Sequence, residues 1–260
     1  MGETLRSPMA KEFTDNWAMF LDFDGTLADI AGHPEAISIP ASLVEHLTCL
    51  RDRLGGALAI ISGRPIAALD CFLAPYEFDA AGVHGLERRF GGQPQHCPVR
   101  ERGRLPAALT SLKERLPKNE GLLIEDKGCS VAVHWRRSPQ LEGLVLDVIA
   151  DVMHGLGPEY QLQQGKAVAE ILSSDTNKGR AVEAMLSAPP YLGRRPVFIG
   201  DDLTDEHGFD AVNGCGGVSV RVGPGPSRAR FRLPNPQAVR DRVRAWGAGQ
   251  PINPELDFQP

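Results

Sequence analysis

Two aspartates stand at the end of an apolar run near the start of the chain. Asp22 and Asp24 are two residues apart, and Gly25 and Thr26 follow them. At the end of a strand, positions i and i+2 point to the same side. A buried carboxylate is costly unless it is paired or binds a metal. Paired carboxylates can divide the work of a nucleophile and a proton donor. The same residues have the composition of a turn, so a turn and a catalytic site both remain open.

A second acidic group follows another apolar run, in the segment GDDLTDE at residues 200–206. Acidic residues favour the first turn of a helix, which accounts for Asp205 and Glu206. A helix start explains less well why Asp201 and Asp202 come directly after the apolar residues. Carboxylate oxygens are ligands that Mg²⁺ prefers. This group therefore leaves a helix start and a magnesium site both open.

A serine and a lysine occupy comparable places in the pattern. Ser62, in IISGRP, follows an apolar strand and precedes a helix. It suits a helix N-cap, and the same helix start can bind phosphate. Lys178, in SDTNKG, begins a later helix. Most lysines in such places are exposed, but this one can also hold a carboxylate and a phosphate oxygen together.

These residues depend on a predicted α/β fold. Nearly continuous apolar strands alternate with helices, which indicates a Rossmann-like parallel sheet covered on both faces. Ligands bind such sheets at the carboxyl ends of the strands, where the polar residues above are found. The predicted strands are 18–23, 57–62, 78–83, 196–202 and 217–222, with early helices at 39–54 and 66–72.

The middle of the chain has a different order of elements, α-β-β-α-β-β. It contains two amphipathic helices and two hairpins, the first turning at residues 127–128 and the second near 164–165. We interpret it as an inserted α+β cap domain over the parallel sheet. The expected divisions are a flexible segment 1–16, a core of 17–102 and 173–249, a cap of 103–172 and a flexible tail 250–260.

Composition limits the classes of function. The chain has 260 residues and a net charge of −5, which gives no basic footprint for nucleic acid. No window approaches the roughly 20 apolar residues of a membrane span, and the N-terminus lacks the apolar core of a secretory signal. Its five cysteines form no CxxC pair, as in reduced intracellular proteins. We expect a cytoplasmic monomer that acts on a small molecule.

In order and spacing, DxDGT, the serine, the lysine and GDDxxD resemble the haloacid dehalogenase superfamily of phosphohydrolases. The resemblance implies that Asp22 is the nucleophile that accepts the phosphoryl group. It implies that Asp24 is first the general acid and then the base that activates water. The implied phosphate-binding residues are Thr26, Ser62 and Lys178. The implied Mg²⁺ ligands, direct or through water, are Asp22, Asp24 through its backbone carbonyl, Asp201, Asp202 and Asp205.

The insert resembles the C2B caps of this superfamily, and the details are similar to the trehalose-6-phosphate phosphatase family. The matching segments are SGRP, GVHGLE, IEDKGCSVAVHWR, GKAVAEI, NKG and GDDLTDE, within residues 17–245. Alternation along strand 130–136 places His134 and Arg136 on one polar face. A solvated charged face is the alternative for each polar residue there. The implied substrate-binding set is Arg64, His84, Gly85, Glu125, Lys127, His134, Arg136, Lys166 and Glu170.

The resemblance therefore implies a Mg²⁺-dependent enzyme that hydrolyses trehalose 6-phosphate through an aspartyl-phosphate, in trehalose biosynthesis. Three alternatives remain at this point. The first is a phosphatase for another sugar phosphate, such as sucrose phosphate or mannosyl phosphoglycerate. The second is a phosphomutase, which transfers the phosphoryl group to a sugar. The third is a non-catalytic phosphate-binding regulator with the same fold.

Overall fold

The computed structural model of the protein describes residues 16–30, 37–91, 93–96, 104–128, 130–174 and 176–260, with only the backbone for 93–96. The expected flexible segment 1–16, apart from Asn16, lies outside the described residues. The expected domain border at residues 102–103 lies outside them as well.

In the described residues, strands and helices largely alternate in the two parts of the chain that flank the predicted cap. The strands are β1 (Trp17–Leu21), β2 (Leu58–Ile61), β3 (Asp79–Gly82), β4 (Glu87–Phe90), β5 (Gln93–His96), β6 (Leu123–Asp126), β7 (Val131–His134), β8 (Tyr160–Gly165), β9 (Val168–Ser173), β10 (Arg195–Gly200), β11 (Val218–Val222) and β12 (Phe231–Leu233). The helices are α1 (Ala41–Arg53), α2 (Ile66–Leu73), α3 (Leu105–Arg115), α4 (Glu142–Leu156), α5 (Lys178–Leu186), α6 (Glu206–Gly214), α7 (Pro236–Gly247) and α8 (Pro254–Asp257).

The larger sheet has the strand order β12-β11-β10-β1-β2-β3-β4-β5. Its strands from β12 to β3 pair in parallel, and β4 and β5 join in antiparallel. All five residues of β1 are buried, as expected for a strand covered on both faces. This arrangement confirms the α/β fold class. Because β1 lies between β2 and β10, the carboxyl ends of these three strands meet at one edge of the sheet.

The smaller sheet is antiparallel, with the order β6-β7-β9-β8. The side chains of Val131, Val133 and Trp135 are buried with Val145 and Ile149 of α4 in a separate apolar cluster. The element order α-β-β-α-β-β is the predicted one. The β8–β9 turn lies at residues 166–167, two residues later than expected, because β8 stays paired as far as Gly165. The apolar face of this sheet is thus covered by helices, and its polar face is left for other contacts.

Residues 250–260 differ from the flexible tail that their proline content suggests. The buried carboxylate of Asp257 accepts hydrogen bonds from Trp246 Nε1 at 3.0 Å and from Arg242 Nη1 at 2.9 Å. Phe258 is also buried and contacts the ring of Trp246 edge-on. One buried carboxylate and one buried ring therefore attach the segment to α7.

No helix in the described part of the chain is long and apolar enough to cross a membrane. Three cysteines are free thiols at exposed positions, namely Cys49, Cys71 and Cys215. The other two, Cys97 and Cys129, lie outside the described residues.

The Asp257→Ala variant tests the attachment of the C-terminal segment. Loss of the carboxylate leaves the buried indole N–H of Trp246 without its acceptor, which costs about 1–3 kcal/mol. We expect the free energy of unfolding, measured by urea denaturation, to fall by that amount. The control is Glu255→Ala, two residues away and exposed. Equal stability of the two variants would show that the segment contributes nothing to the fold.

Candidate active site

A cavity of about 230 Å³ lies between the sheet edge at β1 and the polar face of the smaller sheet. One water takes up roughly 30 Å³, so the cavity can accept an organic ligand. Most of the predicted site residues line it, namely Asp22, Asp24, Arg64, His84, Glu125, Lys127, His134, Arg136, Lys166, Glu170, Lys178, Asp201 and Asp202. Four predicted residues lie behind this lining, namely Thr26, Ser62, Gly85 and Asp205.

The ammonium of Lys178 joins two carboxylates beneath the cavity. It donates to Asp22 Oδ1 at 2.7 Å and to Asp205 Oδ1 at 2.6 Å. Burial opposes the charged form of Lys178, but the two carboxylates outweigh it and raise its pKa. The side chain is only 3% exposed, so the interpretation of Lys178 as an ordinary surface lysine is wrong. The helix that presents it is fixed by Asn177, whose side chain accepts from Arg180 N.

Three buried carboxylates form an acidic cluster around this lysine. Ligand atoms of Asp22, Asp201 and Asp205 all lie within 4.8 Å of one another. Burial, followed by the charge of Asp205, raises the pKa of Asp22 well above its ordinary value. Burial also raises the pKa of Asp201. The cluster concentrates more negative charge than Lys178 balances, and hard oxygen ligands in this arrangement fit Mg²⁺.

Gly25 lets the chain turn tightly against the acidic cluster. Its φ is +82°, and a Cβ at this position would overlap the carboxylate of Asp201. The turn interpretation of DGT is therefore correct, and it is compatible with a site. The hydroxyl of Thr26 is fully buried and has no hydrogen-bond partner among the described residues.

Asp205 braces the loop that carries the other acids. Its Oδ2 accepts from the backbone N–H groups of Asp201 and Asp202, both at 2.9 Å. Asp202 and Asp205 also form a capping box at the start of a 3₁₀ turn. The helix-start interpretation of GDDLTDE is therefore correct, and Asp205 belongs both to the capping box and to the acidic cluster. The magnesium site stays a prediction.

Asp24 lies at the cavity and is held by Arg64. The guanidinium donates Nε to Oδ2 and Nη2 to Oδ1, both at 2.7 Å. The hydroxyl of Ser62 accepts from Arg64 N at 3.1 Å. Ser62 is not the cap of α2, because Ile66 N donates instead to Glu87 Oε2 at 2.8 Å. Glu87, which the sequence left without a role, therefore fixes the start of this helix.

Glu170 is the centre of a buried polar group between the two sheets. It accepts from Lys127 Nζ at 2.8 Å and from the hydroxyl of Ser130. His84 Nε2 lies 3.2 Å from it. Burial would raise the pKa of Glu170, but Lys127 and His84 lower it far below its ordinary value. Lys127 also donates to the carbonyl of Gly63 at 2.9 Å, so the smaller sheet contacts the loop that follows β2.

The remaining polar residues of the smaller sheet pair with neighbours around the cavity. His134 Nε2 lies 2.9 Å from Glu125 Oε2, and this hydrogen bond lowers the pKa of Glu125. Lys166 Nζ donates to Asp201 Oδ2 at 2.7 Å. Arg136 Nη2 donates to the carbonyl of Lys166 at 3.2 Å. The β8–β9 turn therefore lies against the acidic cluster.

Gly85 is a packing position in this structure. Its φ is +102°, and a Cβ there would lie 3.0 Å from the carbonyl of Asn177. The missing side chain lets the start of α5 come close, so Gly85 helps to place Lys178 without lining the cavity.

Sequence reasoning missed several residues that line the cavity, among them Gln163, Ile30 and Ile37. Gln163 Nε2 lies 2.9 Å from His84 Nδ1. Gln163 pairs directly with Glu170 across the β8–β9 ladder. Cross-strand neighbours share a face, so the assignment of Glu170 contained a signal for Gln163. No comparable pattern marks the two isoleucines.

The family described as trehalose-phosphatase matches residues 20–237. The probable trehalose-phosphate phosphatase of Sinorhizobium fredii is 40% identical over 94% of this chain and 92% of the relative. The trehalose-6-phosphate phosphatase of Escherichia coli is 41% identical over 85% and 83% of the two chains. The C-terminal domain of Candida albicans trehalose-6-phosphate phosphatase has the same fold, with a TM-score of 0.80 at 22% identity over 94% of this chain and 97% of that chain. These matches confirm the resemblance found in the sequence, and the chain belongs to the trehalose-phosphatase family.

Proposed function

We propose that this protein hydrolyses trehalose 6-phosphate to trehalose and inorganic phosphate, as a step of trehalose biosynthesis. The observation that carries the proposal is the buried ion group of Lys178, Asp22 and Asp205 beneath a cavity roofed by polar side chains. Membership of the trehalose-phosphatase family supports the same substrate.

In the proposed mechanism, a carboxylate oxygen of Asp22 attacks phosphorus in line with the sugar oxygen. The bond from phosphorus to that oxygen breaks, and Asp24 gives its proton to the departing alcohol. Water then attacks the aspartyl-phosphate and gives a proton to Asp24, which frees Asp22 and inorganic phosphate. Lys178 holds the nucleophile in place and balances charge on the phosphate. Arg64 keeps Asp24 at the cavity through two hydrogen bonds.

The acidic cluster is the proposed binding place of Mg²⁺. Asp22, Asp201 and the backbone carbonyl of Asp24 would hold the ion, with Asp202 and Asp205 in contact or fixing its ligands. The oxygens of Asp205 already accept from Lys178 and two backbone N–H groups, which favours a supporting role for this residue. When bound, the cation would offset repulsion between the nucleophile and the phosphate.

The substrate assignment rests on the two kinds of wall around the cavity. We propose that Thr26 and Ser62 serve the phosphate end and that the polar residues of the smaller sheet bind sugar hydroxyls. Opposite them, Ile30 and Ile37 give an apolar wall for the faces of the sugar rings. Sites that hydrogen-bond hydroxyls reject analogues that lack them.

The competing functions differ in what they require of these residues. A non-catalytic regulator has no need for Asp22, Asp24, Lys178 and Asp201 together, and all four line the cavity. A phosphomutase would need a sugar acceptor in place of water. Phosphatases for sucrose phosphate or mannosyl phosphoglycerate need the same catalytic group, so only substrate preference separates them from the proposal.

We further propose that residues 103–172 act as a cap that opens for the sugar and closes to exclude water. We also propose that the protein acts as a monomer. The exposed thiols of Cys49, Cys71 and Cys215 suit the reducing cytoplasm.

The nucleophile is tested by Asp22→Asn, because an asparagine has nearly the same shape and can still accept from Lys178. We expect phosphate release from trehalose 6-phosphate to fall by more than about 10,000-fold, the scale seen for loss of other nucleophiles. Circular dichroism should show an unchanged fold. The matched control, Asp52→Asn, alters an exposed ion pair with Arg51 and should retain full activity. Normal turnover by the Asp22 variant would exclude the proposed mechanism.

The cation is tested by chelation. We expect EDTA to abolish phosphate release and added Mg²⁺ to restore it. Mg²⁺ should also stabilise the folded protein, by about 2.7 kcal/mol at 100 times its Kd. In Asp201→Asn, a higher concentration of Mg²⁺ should be needed to restore activity and to raise the melting temperature. Full activity in EDTA, together with a melting temperature that does not change when Mg²⁺ is added, would refute the metal site.

Substrate preference is tested by kcat/KM values for trehalose 6-phosphate, sucrose 6-phosphate, mannosyl phosphoglycerate and glucose 6-phosphate. We expect trehalose 6-phosphate to be preferred, because the chain belongs to the trehalose-phosphatase family. Glucose 6-phosphate should be the weakest, because a single ring reaches fewer of the polar side chains. A preference of more than about 100-fold for another compound, roughly 2.7 kcal/mol in the transition state, would overturn the trehalose assignment.

A further inference from the structure

We propose that Gln163 is a positioning residue that holds neutral His84 in the tautomer with its hydrogen on Nε2, and so orients Glu170 towards the sugar. The role of Glu170 in this inference rests on the proposed function. The tautomer of His84 does not depend on that function.

The hydrogen of His84 is assigned by its carboxylate neighbour. His84 Nε2 lies 3.2 Å from Glu170 Oε2. Glu170 is ionised, since its pKa lies far below the ordinary value, and a carboxylate only accepts hydrogen bonds. Nε2 must therefore carry a hydrogen and donate it.

The other ring nitrogen is then a bare acceptor. Burial lowers the pKa of His84 although Glu170 opposes this, and the nearby charges of Lys127 and Lys178 lower it further. A neutral imidazole has one N–H, so Nδ1 carries a lone pair. The side-chain N–H of Gln163, 2.9 Å away, is the matching donor. The other tautomer would place N–H against N–H at Nδ1 and a lone pair against a carboxylate at Nε2.

The backbone conformation at His84 restricts the position of its ring. His84 has a φ of +53°, uncommon for a residue with a side chain, and its N–H donates to the carbonyl of Ser62 at 3.0 Å. Gln163 is fixed opposite Glu170 by the β8–β9 register. The ring is thus held between two side chains of one strand pair. Gln163, as the donor to Nδ1, reinforces the tautomer that Glu170 requires.

The consequence concerns the carboxylate at the cavity. Glu170 is held by Lys127, Ser130 and His84, and it also lines the cavity. Without Gln163, the bond from His84 loses this support, and the carboxylate is held less firmly in its orientation. The KM of substrates that use the sugar contacts should rise, whereas the KM of a phosphate ester without a sugar should change less.

The test compares Gln163→Leu and Gln163→Glu with the matched controls Gln164→Leu and Gln164→Glu. Gln164 is the next residue on β8, exposed and on the opposite face. Nuclear magnetic resonance of ¹⁵N-histidine protein reports the tautomer and the pKa of His84, with His84→Asn used to assign its signals. Unchanged melting temperatures ensure that folded proteins are compared.

We expect His84 of the natural chain to show the Nε2–H tautomer. In Gln163→Glu, the new carboxylate can only accept, so it draws a second proton to Nδ1 and raises the pKa of His84. In Gln163→Leu, the Nε2–H preference weakens. For both variants, KM for trehalose 6-phosphate should rise by about 10-fold, the effect of one lost hydrogen bond. The value of kcat/KM with p-nitrophenyl phosphate should fall by a smaller factor than with trehalose 6-phosphate, and the Gln164 variants should match the natural chain.

An unchanged His84 spectrum in both Gln163 variants would overturn the inference. A changed spectrum with an unchanged KM for trehalose 6-phosphate would overturn the positioning role. If the natural chain does not hydrolyse trehalose 6-phosphate at all, the proposed function fails, and the spectra alone then decide whether Gln163 sets the tautomer.

Discussion

The buried ammonium of Lys178 is the contact on which the site depends, because it joins β1, α5 and the loop after β10. Removing one partner of such a buried pair leaves an uncompensated charge, at a cost of about 3–5 kcal/mol. Two lysines do not balance the three carboxylates of the cluster, since Asp22 and Asp205 share Lys178 and Asp201 pairs with Lys166. Burial, together with the nearby charge of Asp205, raises the pKa values of Asp22 and Asp201. The interaction that assembles the site is therefore also the reason why the site suits a divalent cation.

Sheet topology determines which residues can share this charge. Strand β1 lies between β2 and β10, so the residues that follow these strands are neighbours although they are distant in sequence. The strand order reverses at β1, the place where open α/β sheets bind ligands. Asp22, Ser62 and Asp201 lie at the three strand ends. The smaller sheet adds polar side chains to the same cavity, where we propose that they bind the sugar.

Features that depend on a local sequence pattern were predictable, and features that depend on contacts between distant residues were not. The apolar runs of β1, β2 and β10 identified the fold and the acids at the strand ends, whereas the family resemblance supplied most of the other lining residues. Strands β4, β5 and β12 were missed because short edge strands take their conformation from a partner. The burial of Lys178 depends on its contact with Asp22, which lies 156 residues away in the sequence. The pairing of Arg64 with Asp24 joins residues that are 40 positions apart. The C-terminal attachment was hidden because a single buried carboxylate outweighs a proline-rich composition.

The proposed sites for sugar and for phosphate are connected through one short loop, residues 62–64. From the smaller sheet, Lys127 donates to the carbonyl of Gly63, and the carbonyl of Ser62 accepts from His84. Arg64, the next residue, holds Asp24. A sugar that disturbs Lys127 or His84 therefore also disturbs the loop that positions the proton donor. Binding energy from the remote part of a substrate can then contribute to the transition state and not only to affinity. On this argument, a poorly matched sugar phosphate should lose kcat as well as KM, because the cap and the catalytic carboxylates are connected through the same backbone.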